Sequence, residues 1–122
     1  MHTYSFEKLE TWKEAVSLVK DIYRVTEDFP KEERFGLTSQ LRRASISIAS
    51  NLAEGTSRKT NKDKAHFTTM AFSSAMEILN QLIISVELNF VSEKDYILVR
   101  TKIEKITNML NALRNHQLNE NE

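Results

Sequence analysis

Cysteine is absent from the 122 residues, which removes disulfides, thiolate nucleophiles and sulfur-ligated zinc together. Glycine occurs twice, at Gly36 and Gly55, and proline once, at Pro30, too few for an all-β chain built on tight turns. Net charge is also missing: 17 basic residues balance 17 acidic ones, so no global field draws in a polyanion. No run of eighteen uncharged apolar residues is present, and Met1-His-Thr-Tyr-Ser has no basic-then-apolar pattern. The expectation is a cytoplasmic chain without a membrane partner. Phosphate-cradling glycine loops, nucleophile elbows and zinc-protease helices are lacking too, so no residue is marked as catalytic, no cofactor is called for, and no enzyme is expected.

What remains is helical periodicity. At this length a single domain can bury roughly two thirds of its unfolded surface. The patterns predict four helices, over about 6–28, 37–55, 62–90 and 93–115, with a frayed tail at 116–122. In the first, Leu9, Trp12, Val16, Val19 and Tyr23 make an apolar row that Ala15, Leu18, Ile22 and Val25 widen. Pro30 ends it, and Phe29 can fold back over the end of the bundle. The second helix carries Leu37, Leu41, Ala44, Ile48 and Leu52, with Thr38 or Ser39 as N-cap and Gly55 as its stop. A polar connection follows, and Asn61 is expected to cap the third helix. In the fourth, Tyr96, Val99, Ile103, Ile106, Leu110 and Leu113 recur at the seam spacing of packed helices, after a cap at Ser92. Short connections between four such helices predict an all-α, antiparallel, up-down-up-down bundle.

The third helix is apolar in nearly every direction. One row is Phe67, Ala71, Ala75, Ile78 and Leu82; another is Phe72, Met76, Leu79, Ile83 and Val86. A helix without a wet face must be covered on more than one side, so the second row is assigned to contact with a neighbouring subunit.

Charge is unevenly spread. Residues 1–33 hold eight acids against five bases, whereas residues 38–66 hold six bases (Arg42, Arg43, Arg58, Lys59, Lys62 and Lys64) against Glu54 and Asp63. These six are the candidate contacts to RNA or DNA, through phosphates and without sequence choice. Aromatic residues for stacking bases are missing between Arg58 and Lys64. A polar row, Arg43, Ser47, Asn51 and Glu54, climbs the second helix and reads as a hydrogen-bonded network fixing register, with Glu77 as partner to Arg42 or Arg43. Asp63 and His66 supply one carboxylate–histidine pair, where a di-metal bundle needs two pairs and two further glutamates, so no metal is expected.

The series Phe29-Pro30, Phe35-Gly-Leu37, Arg42-Arg43-Ala44, Ser47-Ile48 and Asn51-Leu-Ala-Glu-Gly55, with Phe67, Ala71, Ser74 and Glu77 beyond, resembles the bacterial four-helix bundle proteins encoded inside intervening sequences of 23S rRNA genes. Ala49 and Ser73 depart from the proline and glycine common in that family. The resemblance implies a homopentamer and does not imply an enzyme. A similar fold serves as the accessory protein of diversity-generating retroelements, where a basic barrel engages nucleic acid; this chain is neutral. Two readings follow: a ring that binds RNA or DNA on a basic rim, or a protein–protein scaffold that uses no nucleic acid.

Overall fold

The structure, a computed structural model, describes residues 1–119 as helices without a strand: a 3₁₀ turn at Ser5–Lys8, α1 at Glu10–Thr26, a second 3₁₀ turn at Lys31–Glu33, α2 at Leu37–Thr56, α3 at Asn61–Glu87 and α4 at Glu93–Asn119. Each helix packs against its sequence neighbours, and α1 closes the ring against α4. This is a four-helix bundle. Cross-links on the α1–α4 seam pair falling numbers with rising ones: Arg24 with Asp95, Asp21 with Lys102, Glu14 with Lys105.

The core consists of the rows that periodicity marks. Ala15, Leu18 and Ile22 of α1, Leu41, Ile48 and Leu52 of α2, Ala71, Ala75, Ile78 and Leu82 of α3, and Val99, Ile103, Ile106 and Leu110 of α4 are all buried in one cluster. On α1 the widening row is the centre of burial, while Leu9 and Trp12 pack at its edge and Tyr23 is exposed. Phe29 folds back over the bundle end, buried against Phe90 at 5.7 Å between ring centroids.

Helix ends differ from expectation where caps come from outside the local pattern. The first helix does not begin at residue 6: Leu9 is extended (φ −75°, ψ 119°), and Phe6 in the preceding turn packs edge-on against Trp12. Neither Thr38 nor Ser39 caps α2. The carboxylate of Glu33 accepts from the Leu37 N–H at 3.1 Å, while Ser39 Oγ donates backward to the Gly36 carbonyl. Gly55 is not a left-handed stop, since α2 continues to Thr56 and neither glycine has a positive φ. Its role is close approach: a Cβ there would lie 3.0 Å from Phe67 Cβ on α3. Thr60, not Asn61, caps α3 by accepting from the Asp63 N–H. That helix ends at Glu87 rather than Phe90, because Asn89 takes φ 63° and Phe90 N–H donates to Ser85 O while Asn89 N–H donates to Val86 O. These bonds are a Schellman stop with asparagine in the position glycine usually fills.

Ser92 Oγ accepts from the Asp95 N–H and opens α4 as expected. Residues 116–119 belong to the expected tail. They are helical, and Gln117 Oε1 accepts from the buried Thr68 hydroxyl at 2.8 Å. The rest of the expected tail, 120–122, lies outside the described residues.

Candidate functional site

The six basic candidates fall into two places. Arg42 and Arg43 lie in the first half of α2, whereas Arg58 and Lys59 follow its end and Lys62 and Lys64 open α3. From Arg42 to the end of α2 at Thr56 is a helical rise of about 21 Å at 1.5 Å per residue, and Arg58 lies beyond that end. One basic patch spanning residues 42–64 is therefore not formed.

Arg42 is held by α1. Its Nε donates to Thr26 Oγ1 at 2.9 Å, Nη2 reaches the Tyr23 carbonyl at 3.4 Å, and the guanidinium lies over the Tyr23 ring at 4.4 Å. Arg43 points away, exposed, on the wall of a groove of about 440 Å³ between the end of α1 and the start of α2. Phe35, 86% exposed, stands in the same groove with the Arg34 guanidinium 5.4 Å from its ring centre.

At the α2–α3 turn, Arg58 stacks on Phe67 at 4.6 Å and stays exposed, as do Lys59 and Lys62. Lys64 is half-buried and faces a different groove, beside Ser5, Leu113 and Gln117. Asp63 sits in the first turn of α3, where the positive helix end favours a carboxylate. The rim thus reduces to Arg58, Lys59 and Lys62.

The polar row is only partly a network. Asn51 Nδ2 donates to Ser47 O at 2.9 Å and to Ser47 Oγ at 3.1 Å, and Ser74 Oγ of α3 donates to Ser47 Oγ at 2.9 Å. This small cluster joins α2 to α3. Arg43 and Glu54 are outside it, exposed and without a side-chain hydrogen bond among the described residues. Glu77 is not bound by Arg42 or Arg43: its carboxylate accepts from Gln81 Nε2, which also donates to Gln40 Oε1, both at 3.1 Å. Arg42 is already committed to Thr26 and Tyr23, which is why no Arg42–Glu77 pair forms.

The row assigned to a neighbouring subunit divides. Phe72, Leu79 and Val86 pack at the margin of the chain's own core, while Met76 (38%) and Ile83 (40%) are exposed, together with Met70 and Ile84. By length and a mean hydropathy of 1.2, α3 is long and apolar enough to cross a membrane, a test that core helices of soluble proteins also pass. Only 33% of its most apolar stretch is buried, so the chain's own helices cover one side of α3 and leave the other bare.

Ion pairs show a matching asymmetry. All five among the described residues lie on α1 and α4: Lys13–Glu10, Arg24–Asp95, Arg100–Glu104, Lys102–Asp21 and Lys105–Glu14. None involves α2 or α3. The Tyr96 hydroxyl, and secondarily Glu104, raise the Arg100 pKa above its ordinary value within α4. Among the described residues, no group of three histidines or carboxylates is placed to hold a metal.

The family description that matches the chain, over residues 7–112, is "23S rRNA-intervening sequence protein". Among curated proteins none matches. A crystal structure of a protein with unknown function from the S23 ribosomal protein family of Bacteroides thetaiotaomicron superposes with a TM-score of 0.77. It is 16% identical, and the alignment covers 85% of this chain and 97% of that one, so the likeness is one of fold.

Proposed function

The chain belongs to the 23S rRNA-intervening sequence protein family, and from that premise we propose that it is a non-enzymatic, cytoplasmic, antiparallel up-down-up-down bundle that associates with copies of itself as a pentamer and holds RNA or DNA on a repeated basic rim. The observation that carries this reading is the division of charge. Carboxylates answer most cations along α1 and α4, Lys20, Lys94 and Arg114 excepted, while Arg58, Lys59 and Lys62 at the α2–α3 turn have no acidic partner among the described residues. Cations left open in this way are free to displace counterions from a phosphate backbone. Self-association multiplies them, since each copy added to a ring adds another turn to one edge.

The test is an RNA gel shift over a range of salt. Lys59→Glu with Lys62→Glu is expected to abolish the shift, and the wild-type affinity to fall with salt by a slope of about −0.7 per single-strand phosphate contacted. A shift that survives the double reversal removes the rim.

The bare side of α3 favours a second reading, a protein–protein scaffold without nucleic acid. Met70, Met76, Ile83 and Ile84 supply apolar area on a face that, beyond Lys64, carries Glu77 and Glu87 and no lysine or arginine, which suits burial against protein. Failure of the wild-type protein to shift any nucleic acid, with assembly intact, is the outcome that selects it.

A further inference from the structure

We propose that the groove between the end of α1 and the start of α2 is a second nucleic-acid contact, one that takes an unpaired nucleotide with its base on Phe35 and its phosphate between Arg34 and Arg43. The inference rests on the nucleic-acid reading for its class of ligand, but on different residues at a different place in the fold.

Three guanidinium groups line this space of about 440 Å³, those of Arg34, Arg42 and Arg43, and no carboxylate does. Its volume is within the range of small-ligand sites. An occupant must therefore be anionic. Two aromatic rings and Ile46 line it as well, so the occupant must also bring a flat or apolar part. A nucleotide combines both properties, and stacking on an aromatic ring is open to every base.

The parts are unequal in freedom. Arg42 is fixed by Thr26 and by the ring of Tyr23, and so contributes a stationary positive charge at the floor. Arg43 has no side-chain hydrogen bond among the described residues and is free to close on a phosphate. Phe35 is 86% exposed, an unfavourable state for a phenyl ring unless something flat covers it. Thr38 and Ser39, in the first turn of α2, add hydroxyl groups, although the Ser39 hydroxyl donates to the Gly36 carbonyl and the Glu33 carboxylate already caps that helix end. An adjoining groove of about 630 Å³ shares Phe35 and Arg42 and continues past Pro30 and Lys31, with Glu27 the one acid on its wall.

A second copy of the chain fits this groove less well. The bare face of α3 could cover Phe35, but its acids, Glu77 and Glu87, stand ten residues apart, about 15 Å along the helix. They cannot both answer arginines gathered around one groove.

Fluorescence anisotropy with a labelled oligothymidylate and a duplex of equal length tests the proposal on the wild type, Phe35→Ala, Arg43→Ala and the Lys59→Glu/Lys62→Glu double variant. Phe35 and Arg43 are exposed, so their substitution leaves the helical circular dichroism unchanged. Phe35→Ala is expected to weaken single-strand binding about tenfold and to leave duplex binding within about twofold, while Arg43→Ala weakens the single strand. The double variant weakens both ligands if the rim reading holds. Unchanged single-strand affinity in Phe35→Ala and Arg43→Ala overturns the groove and spares the rim. Phe35→Ala that dissociates the assembly in sedimentation also overturns it, and makes the groove a contact between copies. Loss of single-strand affinity in Phe35→Ala, with the double variant behaving as wild type, upholds the groove and sinks the rim.

Discussion

At Thr26 one hydroxyl serves two helices. It donates to the Ile22 carbonyl at 2.7 Å and accepts from Arg42 Nε at 2.9 Å, and the side chain is buried. Thr26→Val keeps the shape and removes both roles, leaving a half-buried guanidinium N–H without an acceptor. The expected cost is about 1–3 kcal/mol, read as a lower urea midpoint at unchanged slope. Sequence reading placed Arg42 with the free cations because its acceptor lies sixteen residues earlier, and periodicity reports which face a residue occupies, not what answers it across the gap. Gly55 was misread for a related reason. A glycine near a helix end has the same local appearance whether it supplies a left-handed turn or room for Phe67.

The elements were legible to within a few residues, since each helix carries a row that only a 3.6-residue period explains. What escaped were the devices at their ends. Glu33 caps α2 from inside a preceding turn, and α4 runs on because Gln117 finds Thr68 on α3. Asn89 was the one recoverable signal, being a residue type that tolerates positive φ. Asn89→Val forces a β-branched side chain into that conformation and is expected to lower stability by about 1–2 kcal/mol, with Asn89→Gly at least as stable as wild type in thermal melts. On α3 itself, the pattern exposed an excess of apolar residues but not their partition. Phe72, Leu79 and Val86 had to be seen against the core before Met76 and Ile83 could be separated from them.

For the whole molecule the proposed consequence of that partition is assembly. Ile83→Asp places a charge on the bare face of α3 without touching the buried row, so the monomer fold is expected to survive while light scattering reports a smaller particle. An unchanged mass would show that α3 is not the face through which copies meet. The candidate site was the least legible part. A count of charges along the chain groups Arg42 with Arg58, and only the rigid rise of α2 separates them into a rim and a groove.

The carboxylate–cation ties between α1 and α4 join residues 71, 81 and 91 positions apart. Contacts that distant close the largest loops in the chain, and the neighbouring helix pairs can form beforehand with less loss of freedom. The seam is accordingly expected to be the last part of the monomer to knit during refolding and to be largely absent at the rate-limiting barrier. Asp21→Ala, which leaves Lys102 only the Ser17 hydroxyl on α1, is then expected to hasten unfolding in stopped-flow experiments while the refolding limb stays where it was. A slowed refolding limb with unfolding unaltered would place the closure of α1 on α4 at the start of folding instead.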